Sequence, residues 1–197
     1  MVASLAIVSV VAAAAAYLLG SIPTGPLLAQ ARGVDLRSVG SGNIGAANAT
    51  RALGKTLGIA TFVGDALKGL LPTLVARLLN FPTEAVAIVG FAAFFGHLYP
   101  IYLRFRGGKG VATAAGIFFA MAPMATLIAL GVWILLFLPW RIVSVASLAA
   151  ALAFPIALVA FGGPLPYLIC ACAVLAFILY KHRGNIERLF RRTERKV

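Results

Sequence analysis

Val111 to Leu138 reads VATAAGIFFAMAPMATLIALGVWILLFL, 28 residues without one charge. How often this stretch crosses a hydrocarbon layer decides the fold. Ala122-Pro123 is its natural break, because proline disfavours helix in the residue before it and removes a backbone donor. Outward from it lie five further apolar runs, at about Leu5 to Leu19, Leu57 to Leu79, Ala85 to Leu103, Ile142 to Phe161 and Leu165 to Tyr180. Several approach the roughly 20 residues that a helix needs to span about 30 Å of hydrocarbon. With 62% apolar residues, 11% charge and a mean hydropathy of +1.01, the chain cannot be a soluble globule of 197 residues. It reads as an all-α integral membrane protein, one domain over residues 1–197. The first run lacks a basic leader and a cleavage site, and prolines follow Gly20-Ser21, so it reads as a retained helix.

The net charge of +12 is concentrated in four polar segments. Arg32, Arg37, Arg51 and Lys55 fall in the first, Arg104, Arg106 and Lys109 in the second, and Arg141 in a short third. Lys181, Arg183, Arg188, Arg191, Arg192, Arg195 and Lys196 fall in the tail. The positive-inside rule puts all four in the cytoplasm. The second segment and the tail can share a side only if an even number of crossings separates them, which requires Val111–Leu138 to cross twice. About seven transmembrane helices result, with the N-terminus periplasmic and the C-terminus cytoplasmic. The piece before Pro123 has about 12 residues and spans only roughly 18 Å, so its start, at Gly-Gly-Lys-Gly, sinks into the membrane boundary.

Two polar segments have the composition of anion sites. Gly96 to Thr113, GHLYPIYLRFRGGKGVAT, sets a histidine, three cations and four glycines in hydrocarbon surroundings. Glycines let backbone N–H groups approach an anion, and cations supply charge where hydration is poor. Gly40 to Arg51, GSGNIGAANATR, adds small residues, Ser41, Asn43 and Asn48 as hydrogen-bond donors, and Arg51 as a bidentate anion ligand. Taken alone, the second of these also reads as a Gly-rich turn. Gly40 to Gly45 formally matches a dinucleotide fingerprint, and Gly54-Lys55-Thr56 the end of a Walker loop, but both need an α/β unit that is missing here. His182 and Asn185, three residues apart, share a face if the last helix continues.

Other chemistries lack their residues. The acid of a His-x4-Asp pair would fall at position 102, which is Tyr102. Five acids and two histidines supply no metal cluster. Cys170 and Cys172 point about 200° apart on a helix. Asp65 and Lys68, at i and i+3, pair with each other. The tail cations fix topology and attract anionic headgroups. A nucleic-acid partner is disfavoured, since no soluble element reads a groove. What remains suits positioning and electrostatic stabilisation rather than covalent catalysis.

GSGNIGAANATR, GHLYPIYLRFRGGKGVAT and KHRGNIERLFRRTE (Lys181 to Glu194) resemble the three cytoplasmic motifs of the bacterial PlsY family, acyl-phosphate:glycerol-3-phosphate acyltransferases. The similarity extends through nearly the whole chain, with Ala47 where Thr is common and Arg192 where Gly is common. It implies acyl transfer from acyl phosphate to the 1-hydroxyl of glycerol 3-phosphate, giving lysophosphatidate and inorganic phosphate, by a cofactor-free monomer among membrane lipids. The active site would lie on the cytoplasmic face of the bacterial inner membrane. The resemblance carries catalysis to Ser41, Arg51, Lys109, His182 and Asn185. It carries substrate binding to Gly42, Asn43, Asn48, His97, Gly107, Gly108, Gly110, Thr113, Ser144, Ser147 and Arg188. Substrate-assisted proton transfer is favoured, with His97 or His182 as general base the competing mechanism. The alternative class is a transporter or channel for phosphate or an organophosphate, against which stand the absence of inverted halves and ligands gathered toward one face.

Overall fold

The computed structural model describes residues 2–197, with side chains from Ala6 onward. Among the described residues every regular element is helical. The chain divides into two compact units at Met121/Ala122.

The first unit contains α1 (Val2–Gly20), α2 (Thr24–Gln30), α3 (Ala46–Leu53), α4 (Lys55–Leu78), α5 (Thr83–Leu98), a 3-10 turn (Ile101–Leu103) and α6 (Val111–Met121). Helix α4 is its centre and packs against α1, α2, α3, α5 and α6. Small residues let the helices touch along their backbones, as is common where no hydrophobic effect drives association. A Cβ on Gly20 would run into the Ala93 backbone, one on Gly96 into Tyr17, and one on Gly116 into Ala66. The Tyr17 hydroxyl donates to Tyr99 O at 2.9 Å, fastening α1 to the end of α5.

The second unit holds α7 (Pro123–Trp140), α8 (Val143–Ala160), α9 (Leu165–Lys181) and α10 (Arg183–Phe190). α7 packs on α8, α8 on α9, and α10 on α9. Trp133 Nε1 donates to Ser147 Oγ at 3.2 Å across the α7–α8 contact.

Five helical segments are long and apolar enough to cross a membrane: Ala6–Gln30, Lys55–Leu78, Thr83–Leu103, Pro123–Trp140 and Val143–Ala160. α9 and α10 together pass the same test but bend by 57°, and α6 is apolar and shorter. Large apolar side chains face outward, Val10 being 69% exposed and Leu135 72%, which fits lipid surroundings and no aqueous ones. The protein is therefore a multi-pass integral membrane protein.

The expected break is where the chain needs it: α6 stops at Met121, Ala122 takes φ −148°, and α7 opens on Pro123. The run to Leu103 reappears as the span Thr83–Leu103, α-helical to Leu98 and closed by the 3-10 turn after Pro100, which cannot extend an α-helix. Two expectations give way. Gly40–Arg51 is a turn only to Gly45; Ala46 to Leu53, free of glycine, forms α3. The last helix does not continue through His182, which stands at the bend between α9 and α10.

Candidate active site

In the first unit the two glycine-bearing segments meet. Arg37 Nη2 donates to Arg106 O at 2.9 Å, tying the loop before α3 to the loop before α6. The first loop is folded around Asn48, which is 1% exposed. Its Oδ1 accepts from Ser41 N at 2.8 Å, and its Nδ2 donates to Leu36 O at 2.9 Å and Val39 O at 3.1 Å. Gly40, at φ +60°, must be glycine, since a Cβ would collide with Asn48 Oδ1. Asn48 is thus the staple of its own loop, with both N–H bonds of its amide directed to main-chain carbonyls. Asn43 Oδ1 accepts from Gly45 N at 3.3 Å, an Asx turn leading into α3. Ser41 and Gly42 are exposed beside this staple, and Arg51 is half-buried in the last turn of α3.

In the second loop the amides of Gly107 and Gly108 have main-chain acceptors: Gly107 N donates to Leu98 O and Gly108 N to His97 O, each at 3.1 Å. These glycines satisfy the carbonyls that end α5, and they must lack side chains because a Cβ on Gly107 would meet His97 O and one on Gly108 the His97 ring. Amides at a helix start lie further on. Gly110, at φ +82°, turns the chain into α6, whose first N–H groups have no intrahelical acceptor and point toward the Lys109 end. Thr113, in the first turn of α6, is fully buried, and its hydroxyl has no hydrogen-bond partner in the structure.

His97 is 4% exposed, with Nδ1 3.6 Å from Asp65 Oδ1. Asp65 pairs with Lys68 Nζ at 2.8 Å, as their spacing implied.

In the second unit the expected residues converge on an acid that the sequence reading passed over. Glu194 Oε1 accepts from Ser144 Oγ at 2.9 Å and from Asn185 Nδ2, and Oε2 accepts from Arg188 Nε at 2.8 Å. Burial alone would raise the Glu194 pKa, but the hydrogen bonds from Asn185, Ser144 and Arg188, with the Arg188 charge, hold it below the ordinary value. The tail is held further by Val197 N donating to Arg141 O at 2.9 Å. Arg188, expected to bind substrate, pairs through Nε with a carboxylate of its own chain. The available signal was slight: Glu194 is the one acid in the run from Arg188 to Lys196. Ser147, 2% exposed, accepts from Trp133.

His182, 3% exposed, has Nδ1 2.8 Å from Ile178 O. A carbonyl only accepts, so Nδ1 carries the hydrogen and Nε2 of the neutral ring carries the lone pair. Asn185 N donates to His182 O at 2.8 Å, so the two residues are locked together through the bend rather than along one straight face. Among the described residues no group of three His, Cys, Asp or Glu side chains could hold a metal ion. Cys170 is buried and Cys172 exposed on α9.

These features define a multi-pass membrane protein with buried hydroxyl, imidazole and amide groups and cations beside a helix N-terminus. Residues 10–192 match the family model described as glycerol-3-phosphate acyltransferase. The glycerol-3-phosphate acyltransferase of Geotalea daltonii is 52% identical over 181 residues, covering 91% of this chain and 92% of that one. That of Geobacter sulfurreducens is 53% identical over 184 residues, covering 93% and 94%. The crystal structure of PlsY (YgiH), an integral membrane glycerol 3-phosphate acyltransferase, in its glycerol 3-phosphate form, is similar at TM-score 0.93 and 43% identity, over 96% of this chain and 95% of that one. Its lysophosphatidic acid form matches at TM-score 0.90 and 42% identity, over 95% and 94%. The chain belongs to the glycerol-3-phosphate acyltransferase family, and within it to the PlsY group.

Proposed function

We propose that this chain transfers a fatty acyl group from acyl phosphate to the 1-hydroxyl of glycerol 3-phosphate, releasing lysophosphatidate and inorganic phosphate. The observation that carries the reading is the PlsY relative, 43% identical over almost the full chain, known in a glycerol 3-phosphate form and, at 42% identity, a lysophosphatidic acid form, one an acceptor and the other its acylated product. The acceptor hydroxyl attacks the acyl carbonyl, the carbon–oxygen bond to phosphate breaks, and phosphate leaves. The hydroxyl proton passes to an oxygen of the departing phosphate.

Lys109 and the amides that open α6 balance the donor's phosphate charge, and Ser41, Gly42, Asn43 and Arg51 assist. His182 and Asn185 hold the acceptor, with Ser144 and Ser147 nearby in sequence to the third cytoplasmic turn. The chemistry of the donor supports this division, because a mixed anhydride with a good leaving group needs no protein nucleophile. A second route uses His182 as base, supported by the lone pair that its Nδ1–H···O bond leaves on Nε2.

The chain acts as one domain and as a monomer, with seven crossings, the N-terminus periplasmic and the basic segments cytoplasmic, in the bacterial inner membrane. The count takes α1, α4, α5, α6, α7, α8 and α9 as crossings, and the charge distribution supports the orientation. Incubating the purified protein in detergent with acyl phosphate and glycerol 3-phosphate tests the reaction. Lysophosphatidate and phosphate in equal amounts are expected. Product from an acyl thioester but none from acyl phosphate would overturn the donor, and solute movement in sealed vesicles without product would favour a transporter.

A further inference from the structure

The acyl-transfer scheme leaves Asp65, Lys68 and His97 without a part, although they form an ionic cluster inside the first unit. They are 3%, 8% and 4% exposed. Lys68 Nζ lies 2.8 Å from Asp65 Oδ1 and donates to Ile22 O at 2.9 Å, in the turn between α1 and α2. The same Asp65 oxygen lies 3.6 Å from His97 Nδ1, within ion-pair range though longer than a hydrogen bond.

Charges among membrane helices are expensive, and a pair that only holds helices together is replaceable by apolar side chains at little loss. An apolar pair could not, however, place negative charge against one edge of an imidazole. The other edge of that ring is where the functional loop rests: a Cβ on Gly108 would strike His97 Nε2. The main chain repeats the contact, since Gly108 N donates to His97 O and Gly107 N to Leu98 O, both at 3.1 Å. His97 is thus held between the Asp65 carboxylate and the Cα of Gly108, and the next residue is Lys109.

We propose that Asp65 is a positioning residue for phosphate binding: with Lys68 as its counter-charge, it fixes the His97 ring, and the ring sets the height of the Gly107–Gly110 loop that aims Lys109 and the α6 amides at a phosphate group. The inference rests on the reading of that loop given under the proposed function. Asp65 and Lys68 act as one device, tied to the α1–α2 turn through Ile22 and to the loop through His97.

The test compares wild type with Asp65→Asn/Lys68→Met, a double variant that leaves no unpaired buried charge and so avoids the unfolding that Asp65→Asn alone invites. Steady-state KM for acyl phosphate and for glycerol 3-phosphate, kcat and the thermal unfolding midpoint in detergent are measured for each. The expected result is a KM for at least one phosphorylated substrate raised about tenfold, with kcat within about threefold and the midpoint close to wild type. Since the chain has two histidines, nitrogen-15 spectra of labelled histidine give a second readout, in which the His97 signals shift and those of His182 do not. Unchanged KM values at wild-type stability, or a change confined to the unfolding midpoint, would overturn the positioning role. Failure of the wild type itself to make lysophosphatidate would overturn the functional reading beneath it, a different outcome from an active wild type and an equally active variant.

Discussion

Asp65 and Glu194 are both carboxylates withdrawn from water and met by donors, yet they find their partners at opposite ranges. Asp65 takes its cation from one helical turn away on α4, at i+3. Glu194 draws Arg188 from 6 residues away, Asn185 from 9 and Ser144 from 50. The first pair can form whenever the helix forms, and the second gathering exists only after α8, α10 and the tail have folded together. Their surroundings differ as well. Asp65 lies on a membrane-spanning helix, where a stranded charge has no water to turn to, whereas Glu194 lies in the tail, where solvent can replace a lost partner. Local pairing thus carries the larger penalty when broken, and remote pairing carries the finer control of shape.

Asp65→Asn is the severest challenge to that contrast. It leaves Lys68 buried without its counter-ion, and a loss of about 3–5 kcal/mol is expected, read as a fall in the thermal unfolding midpoint in detergent. Adding Lys68→Met should recover most of it; no recovery would mean that the pair is not the source of the loss. Lys109→Ala separates chemistry from folding. Unfolding should stay near wild type while kcat/KM falls by about 2–4 kcal/mol equivalent, since dianionic charge is left uncompensated. Near-normal formation of lysophosphatidate would contradict the role given to Lys109.

Glu194→Gln should cost about 1–2 kcal/mol of stability, because Gln still accepts hydrogen bonds but gives Arg188 no charge. Its pH dependence is the sharper measurement. The folded Glu194 pKa lies below its ordinary value, so its contribution is fully present above the ordinary carboxylate range and is lost as pH falls through the lowered folded value. Unfolding midpoints followed downward in pH should show that loss in wild type and lack it in Glu194→Gln. Arg191→Ala sets the floor. Its pair with Glu187 at 2.7 Å joins side chains 73% and 62% exposed, and a change within about 0.5 kcal/mol is expected in the same unfolding assay.

The same contrast explains what could be read without coordinates. Apolar runs, the Pro123 break and the Asp65–Lys68 spacing are local patterns, and they reappear close to their expected places, with α5 stopping short of Leu103. Asn48 and Gly108 show where local reading fails. A glycine or an amide in a polar loop looks alike whether it serves a ligand or its own fold, and only tertiary geometry reveals that Asn48 closes its loop and that the Gly107 and Gly108 amides finish α5. The partners of His97 and Glu194 were not legible for the reverse reason: they lie 32 and up to 50 residues away, beyond any periodicity. The bend of 57° at His182 is not legible in KHRGN, where Gly184 weakens a helix by about 1 kcal/mol without fixing where it turns.

The glycine contacts between α1 and α5 carry a mechanical corollary. With the Gly20 and Gly96 positions lying directly on the opposing main chain, and Tyr17 hooked to Tyr99 O, the first helix has a single registry against the fifth. A slide by one turn would carry Ala16 or Tyr17, each with a Cβ, into the place of Gly20, which admits only a hydrogen atom. The Ile22 carbonyl that Lys68 grasps is therefore indexed to α5 as a tooth is to its gear, and bulkier residues at positions 20 or 96 should disengage the mechanism before they unfold it.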